Sequence, residues 1–318
     1  MYAIRHHEFG PADVLRLETL PDLVPGEGQV RIRVDAVGVH LLDTSIRAGD
    51  AFGAGDRPTL PMIPGREVAG VVDDVGAGVE GTWLGRSVVA HLGFASGGYA
   101  EQAVVDSHRA HLVPAGLDAA TAVATIGTGR TATAILELAE LRPEDVVVVT
   151  SAAGGLGPLL LQGATTAGAR TVGLAGGPDK TALVARFGAT LALDHQRPDW
   201  QLRLREVGTP TVVLDGVAGP IGRALYRSLA PGGRLVRFGW SSGEPNDYAD
   251  PSRPVIDVLG PPILDRLDEF ERAALRAAAD GTRVPHVGTV LPLSEAAAAH
   301  RALESRASVG KVVLLVPR

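Results

Sequence analysis

The residues most plainly arranged for chemistry are Ala152-Ala-Gly-Gly-Leu-Gly157, which follow the apolar run Val146-Val-Val-Val149 and lead at once into Pro158-Leu-Leu-Leu-Gln162. A buried strand ending in a tight glycine turn and passing directly into a helix aims backbone N–H groups past the helix start. The helix dipole adds partial positive charge there, so the matching ligand is an anion, and the spacing suits a dinucleotide pyrophosphate. Ala153, Gly154, Gly155, Leu156 and Gly157 are the expected contacts. Against the pattern G-x-G-x-x-G, Ala152 stands at the first glycine's place, while Gly154 and Gly157 hold the other two. A glycine turn alone is a weak signal. The strand before it, the helix after it and a second strand ending about twenty residues on make it specific.

Cofactor choice is read at the end of that second strand, Val172-Gly-Leu-Ala-Gly-Gly-Pro-Asp-Lys180. NAD sites place Asp or Glu there for the ribose hydroxyls. Here no acid stands at 175–178, so Gly176 and Gly177 leave nothing to repel a 2′-phosphate, and Lys180 opens the next helix within reach. A solvated lysine at a helix start is the plain alternative. NADP(H) is the expected cofactor. Only two of the thirty basic residues are lysine, Lys180 and Lys311.

These residues need elements to hold them. The chain has 318 residues, long enough for two domains, with 45% hydrophobic and 21% charged residues, an ordinary soluble globular balance. A net charge of −6 carries no electrostatic footprint for nucleic acid. The start lacks the apolar core of a signal peptide, and the most apolar stretch is broken by glycines and a proline, so no membrane partner and a cytoplasmic location are expected. Cysteine is absent, which excludes disulfides, thiolate nucleophiles and sulfur-rich zinc sites.

The first third, with short alternating runs at 29–37, 68–72 and 87–91, reads as a β-rich, barrel-like domain. Residues 119–140 read as one or two helices. Strands at 145–150, 170–174, 191–193, 211–214 and 233–238 then alternate with helices at 158–167, 179–187 and 221–229. That rhythm implies a doubly wound parallel sheet. Helices at 263–279 and 294–304 and a strand at 311–316 complete the chain.

Taken together, the motifs resemble the zinc-independent, ζ-crystallin-like quinone oxidoreductases of the medium-chain dehydrogenase/reductase superfamily. The resemblance runs almost end to end, through Gly38-Val-His-Leu-Leu-Asp-Thr-Ser-Ile-Arg-Ala-Gly49, Pro64-Gly-Arg-Glu-Val-Ala-Gly-Val-Val72, Gly97-Gly-Tyr-Ala-Glu101, Gly129-Arg-Thr-Ala132, Pro231-Gly-Gly-Arg-Leu-Val-Arg-Phe-Gly239 and Val309-Gly-Lys-Val-Val-Leu314. It implies an α/β fold: a GroES-like β-rich domain at 1–117, joined by a C-terminal return at 256–318, plus a Rossmann domain at 118–255. It implies a cofactor lysine at Lys180 and another at Lys311, with His195 standing where relatives often carry a Tyr near the adenosine. The segment after Gly243 is shorter than in many relatives, which leaves the family's homodimer open here.

The resemblance also implies a substrate class, quinones or α,β-unsaturated carbonyls, and no metal. Zinc relatives carry Cys at the position of His40 and His at that of Arg66; an arginine in a ligand position puts a permanent positive charge beside the cation. Without a Lewis acid, reduction of an activated double bond or a quinone is the less demanding chemistry. The residues expected to meet substrate are His40, Asp43 and Arg66, with Thr128 nearby. His40 is either a donor to a carbonyl or a satisfied structural histidine. Asp43 orders its loop, and Arg66 pairs with Asp43 or Glu67 or steadies an enolate. Phe238, Gly239 and Trp240 are expected along the nicotinamide, with a buried core tryptophan as the competing account of Trp240. An enoyl-thioester or tailoring reductase and an NADPH-binding protein with little turnover remain the alternative functions. A short-chain dehydrogenase is excluded, because no tyrosine is followed by lysine at the required spacing.

Overall fold

The computed structural model describes residues 1–50, 58–93, 96–246, 248, 250–258 and 260–317. The chain forms two compact units, Met1–Gly127 with His286–Arg318, and Thr128–Pro285.

The first unit is built on a seven-stranded sheet. Its order is Val287–Pro292, Lys311–Leu315, Gln29–Val39, Glu67–Val75, Ser87–His91, Ala110–Leu112, with Gln102–Asp106 also paired to Gln29–Val39. Val30, Ile32 and Val34 are buried while the residues between them are half-buried, the period-two pattern expected of a strand with one face on a core. From Ala36 to Val39 the burial becomes continuous. There the helix Ala119–Ile126 packs against the sheet and covers its other face.

Register decides which side chains meet. Glu67 lies opposite Gly38 on one neighbouring strand and opposite His91 on the other. Val312 lies opposite Val39, so Lys311 and His40, one residue beyond each, sit at the same end of the sheet.

The second unit holds an all-parallel six-stranded sheet. Its order is Leu191–Asp194, Arg170–Ala175, Val146–Val149, Val212–Asp215, Arg234–Arg237, Val255–Asp257. Numbered within the unit this is 3-2-1-4-5-6, the doubly wound order of dinucleotide-binding sheets. Both faces of the central strands are covered, hence the all-buried Val146–Val149 and Val212–Asp215. Gly173 allows close packing of helix on strand: a Cβ there would fall 2.3 Å from Val184 Cγ1 and 3.0 Å from Ala152 Cβ.

The unit boundaries fall at Gly127 and His286 rather than at 117 and 256. The helix Ala119–Ile126 packs on the first unit's sheet, while Val255–Asp257 pairs with Arg234–Arg237 and the helix Leu267–Ala279 packs on the helix Thr128–Ala139. Two local differences bear on the site. The stretch read as a loop after His40 is a helix, Leu41–Ala48, closed by Gly49 at φ 93°. The stretch read as one helix at 263–279 is divided into Pro261–Leu264 and Leu267–Ala279.

Candidate active site

In the first unit, His40 is the residue preceding the helix Leu41–Ala48, and its backbone N–H donates to Asp43 Oδ2 at 2.8 Å while the Asp43 N–H returns to the His40 carbonyl at 3.0 Å. This reciprocal turn at the helix start holds both residues in place. The Asp43 carboxylate thus caps the start of this helix. Arg66 is buried with its Nε 3.6 Å from Asp43 Oδ1, so of its expected roles the structure places it in a pair with Asp43.

Behind His40 lies a buried carboxylate. Glu67 is fully buried, with Oε1 2.7 Å from His40 Nε2 and Oε2 2.8 Å from Lys311 Nζ. Two glycines make the space: a Cβ at Gly38 would fall 2.0 Å from Glu67 Oε2, and one at Gly127 2.0 Å from Oε1. Burial by itself would raise the Glu67 pKa, but the adjacent His40 and Lys311 hold it well below the usual carboxylate range. His40 is shifted the other way: burial lowers its pKa against the pull of Glu67, so the ring is neutral near neutral pH. Lys311 is only 3% exposed, and its ammonium also lies 2.9 Å from His40 Nε2 in hydrogen-bonding geometry. The structure thus brings Lys311 together with His40, in the first unit.

Asp43 is backed by a second network that the sequence reading missed. The Tyr99 hydroxyl donates to Asp43 Oδ2 at 3.2 Å and lies 3.1 Å from His300 Nε2. Arg47 Nη1 lies 3.2 Å from His300 Nδ1, and Arg47 also pairs with Glu304. Guanidinium only donates, so His300 Nδ1 accepts and its proton sits on Nε2, donated to the Tyr99 oxygen. The chain then has one direction: Arg47 to His300 to Tyr99 to Asp43. Burial raises the Tyr99 pKa well above the phenol range, reinforced by Asp43, and lowers His300 to about 4. Tyr99 lay inside a quoted motif, Gly97-Gly-Tyr-Ala-Glu101, but His300 sits in an Ala-rich helix with no local mark of its partner.

In the second unit the glycine turn has the expected form. The helix Gly157–Thr166 begins at once, with Pro158 in its first turn and no side chain capping it. A Cβ at Gly157 would fall 2.2 Å from the Ala152 carbonyl oxygen, so only glycine allows this return. Ala153 is buried; Gly154, Gly155 and Leu156 are half-buried. The second strand ends at Ala175, and Gly177 adopts φ 86° ahead of the helix Pro178–Arg186, on which Lys180 is half-buried. A Cβ at Gly176 would fall 3.2 Å from His195 Nε2, which places His195 beside this turn.

Asp194 was not anticipated. Its Oδ1 accepts from the N–H groups of Gly177 and Gln196, both at 3.0 Å, and these bonds lower its pKa. It reaches the turn from the neighbouring strand, so a search along residues 175–178 could not find it. Thr128 is buried at the start of its helix. Phe238 packs its ring over Gly216, where a Cβ would fall 2.3 Å from Phe238 Cε2, and Gly239 lies against the Gly216 backbone. Trp240 is 55% exposed, which removes the account of it as a core tryptophan.

Comparison with known proteins agrees with this architecture. The alcohol dehydrogenase GroES-like domain model matches residues 26–115, and the zinc-binding dehydrogenase model matches residues 187–314. A 2-haloacrylate reductase from a Burkholderia species is 31% identical over 99% of this chain and 98% of its own. A quinone oxidoreductase from Sus scrofa is 30% identical over the same shares. Among solved structures, the Escherichia coli quinone oxidoreductase in complex with NADPH is 28% identical, with a TM-score of 0.88 over 99% of this chain and 100% of that one. A mycobacterial protein in complex with NADPH is 33% identical, with a TM-score of 0.86 over 99% and 100%.

The zinc in one model's description does not fit these residues. The chain has no cysteine, and among the described residues no group of three or more His, Asp or Glu side chains converges as metal ligands. Beside His40 and Glu67, the two donors that do meet, lies the Lys311 ammonium, a cation that repels another.

Proposed function

The chain belongs to the quinone oxidoreductase family of the medium-chain dehydrogenases/reductases, and from that premise we propose that it is an NADPH-dependent, metal-free oxidoreductase that reduces a quinone or an α,β-unsaturated carbonyl by hydride transfer. The observation that carries the reading is the glycine cradle: a Gly157 that admits no Cβ, at the start of an uncapped helix, on the central strand of a 3-2-1-4-5-6 parallel sheet.

In this proposal Ala153, Gly154, Gly155, Leu156 and Gly157 hold the pyrophosphate. Gly176, Gly177, Lys180 and His195 hold the adenosine 2′-phosphate end, and Thr128, Phe238, Gly239 and Trp240 complete the cofactor's surroundings. Asp194 stays ionised beside Gly177, because the two N–H bonds lower its pKa, and the Lys180 ammonium is the charge this assignment sets against it. When bound, the cofactor supplies a hydride. His40 then stands as the donor to the substrate oxygen on which negative charge develops, with Asp43 and Arg66 fixing the helix start that carries it. A small-molecule substrate and a cytoplasmic location are part of the same proposal.

The test is steady-state oxidation of NADPH and of NADH against quinones, enones and enoyl thioesters. Turnover of quinones or enones with NADPH preferred at least tenfold is expected. Equal use of NADH removes the assignment of Lys180, and NADPH binding without turnover on any substrate overturns the reductase reading. The 2-haloacrylate reductase relative makes the enone arm the more informative, since that name denotes reduction of an activated carbon–carbon double bond.

A further inference from the structure

Arg66 is a buried guanidinium with most of its hydrogen-bonding capacity unspent. Its backbone is fixed. Gly65 before it adopts φ 88°, where a Cβ would fall 2.1 Å from Tyr99 Cδ1, and the Arg66 carbonyl accepts from the Leu92 N–H at 2.7 Å. The residue is 8% exposed. A guanidinium carries five N–H donors, one on Nε and four on the two Nη atoms. Nε is buried and faces Asp43 Oδ1 at 3.6 Å, too far for a hydrogen bond. Among the described residues no hydrogen bond reaches Nη1 or Nη2 either, and neither is sealed from solvent. Arg47, buried in the same unit, shows the usual condition: Nε donates to the Gly10 carbonyl at 3.0 Å, Nη1 lies on His300 and Nη2 on Glu304.

Asp43 does not use the open edge of Arg66. Its Oδ2 accepts from the His40 N–H at 2.8 Å and from the Tyr99 hydroxyl at 3.2 Å, and the guanidinium nitrogen nearest to its Oδ1 is Nε. One carboxylate therefore carries the His40 backbone on one oxygen and faces Arg66 with the other, which sets the unspent Nη1–Nη2 edge in the neighbourhood of His40.

We propose that Arg66 recognises a carboxylate on the substrate, so that the molecule reduced is an enone or quinone bearing a carboxylate group. This rests on the reductive function proposed above, and it adds a binding contact and no chemical step. Two parallel N–H bonds from the Nη1–Nη2 edge match the two oxygens of a carboxylate, a fit that a single enolate oxygen does not use. In the proposed reaction the enolate oxygen belongs to His40, and the cofactor's phosphates belong to the glycine turn and Lys180 of the second unit. Burial limits the water that competes for the ion pair, and a fixed side chain loses little freedom when the carboxylate arrives.

The probes are benzoylacrylate, an enone carrying a carboxylate, and its methyl ester. The ester is the more electrophilic of the two, so a preference for the acid reports recognition and not reactivity. In the wild type, kcat/KM with NADPH as reductant is expected to be at least tenfold higher for the acid. Arg66→Gln is expected to erase that ratio, and Arg66→Lys to keep part of it, because a charge remains without the fork. The ratio compares two substrates on one protein, so a loss of folded enzyme or of the Asp43 pair moves both and cancels. A wild type that turns over the ester as well as the acid overturns the proposal. So does an Arg66→Gln variant with the wild-type ratio, which makes Arg66 a support for Asp43 or for an enolate common to both substrates; if its NADPH Kd is also tenfold weaker, Arg66 is a cofactor ligand.

A binding measurement keeps this apart from the reductase reading. Calorimetric titration of benzoylpropionate, the acid without the double bond, into the wild-type protein with NADP+ bound is expected to give a Kd at least tenfold below that of its amide, a difference lost in Arg66→Gln. That difference without turnover of any substrate overturns the reductase reading and leaves the carboxylate site standing. Turnover of both enones without that difference overturns the site alone.

Discussion

Replacing His300 by glutamine removes the imidazole from the chain that runs from Arg47 to Asp43, and its effect on stability depends on pH with a sign that the structure dictates. Around the ring are Tyr99 on Nε2, Arg47 on Nδ1, and the charges of Asp43, Glu304 and His6. Burial lowers the His300 pKa from 6.5 to about 4, against the pull of Asp43. Above 6.5 the ring is neutral in both folded and unfolded chains and contributes nothing to the pH dependence. As pH falls below 6.5 the unfolded chain binds a proton that the folded protein does not, and the native state loses stability until the pH reaches about 4. At about pH 5 the linkage amounts to roughly 2 kcal/mol. Glutamine keeps a donor for Tyr99 but leaves Arg47 without its acceptor, a cost of about 1–3 kcal/mol at neutral pH. Urea unfolding of both proteins at about pH 7.5 and pH 5 measures the difference. The wild type is expected to be more stable at the higher pH, and the gap is expected to shrink by about 2 kcal/mol at the lower. A gap that stays constant within about 0.5 kcal/mol would refute the assignment of a buried neutral His300.

Three further outcomes follow from the same geometry. Tyr99→Phe leaves the buried His300 Nε2–H without an acceptor and should cost about 1–3 kcal/mol, read as a lower urea midpoint. Gly157→Ala drives a methyl to 2.2 Å from the Ala152 carbonyl oxygen and should weaken NADPH binding at least tenfold by fluorescence titration; unaltered affinity would detach the turn from the cofactor. Lys180→Ala should raise the KM for NADPH about tenfold, roughly 1.4 kcal/mol, and leave the KM for NADH in place.

Five strands of the second unit and the helices between them were legible because each is a local statement, whereas the short helix Trp200–Leu204 and the edge strand Val255–Asp257 carry too few residues to show a period. Val146–Val149 reads as a strand from its unbroken apolar run, and Gly157 as a forced glycine from its place between strand and helix. The helix Leu41–Ala48 was not legible. The stretch is short, and its start is made by His40 and Asp43 bonding each other's backbone rather than by the Ser or Thr that marks most helix starts. The division at Gly127 and His286 was also hidden, because it depends on which sheet a helix covers and not on its composition.

At the site the same distinction holds. The chain by itself determined a glycine turn between a buried strand and a helix, a second strand without an acid at its end, and a protein with no cysteine, since these are matters of residue type and short spacing. Only the tertiary structure decided that Asp194 reaches Gly177 from the next strand, that Tyr99 and His300 stand behind Asp43, and that Lys311 lies against Glu67 and His40. The reason is register: strand pairing brings Glu67 beside Gly38 and His91, and Lys311 to the end of the sheet where His40 begins, and no run of neighbouring residues encodes that meeting.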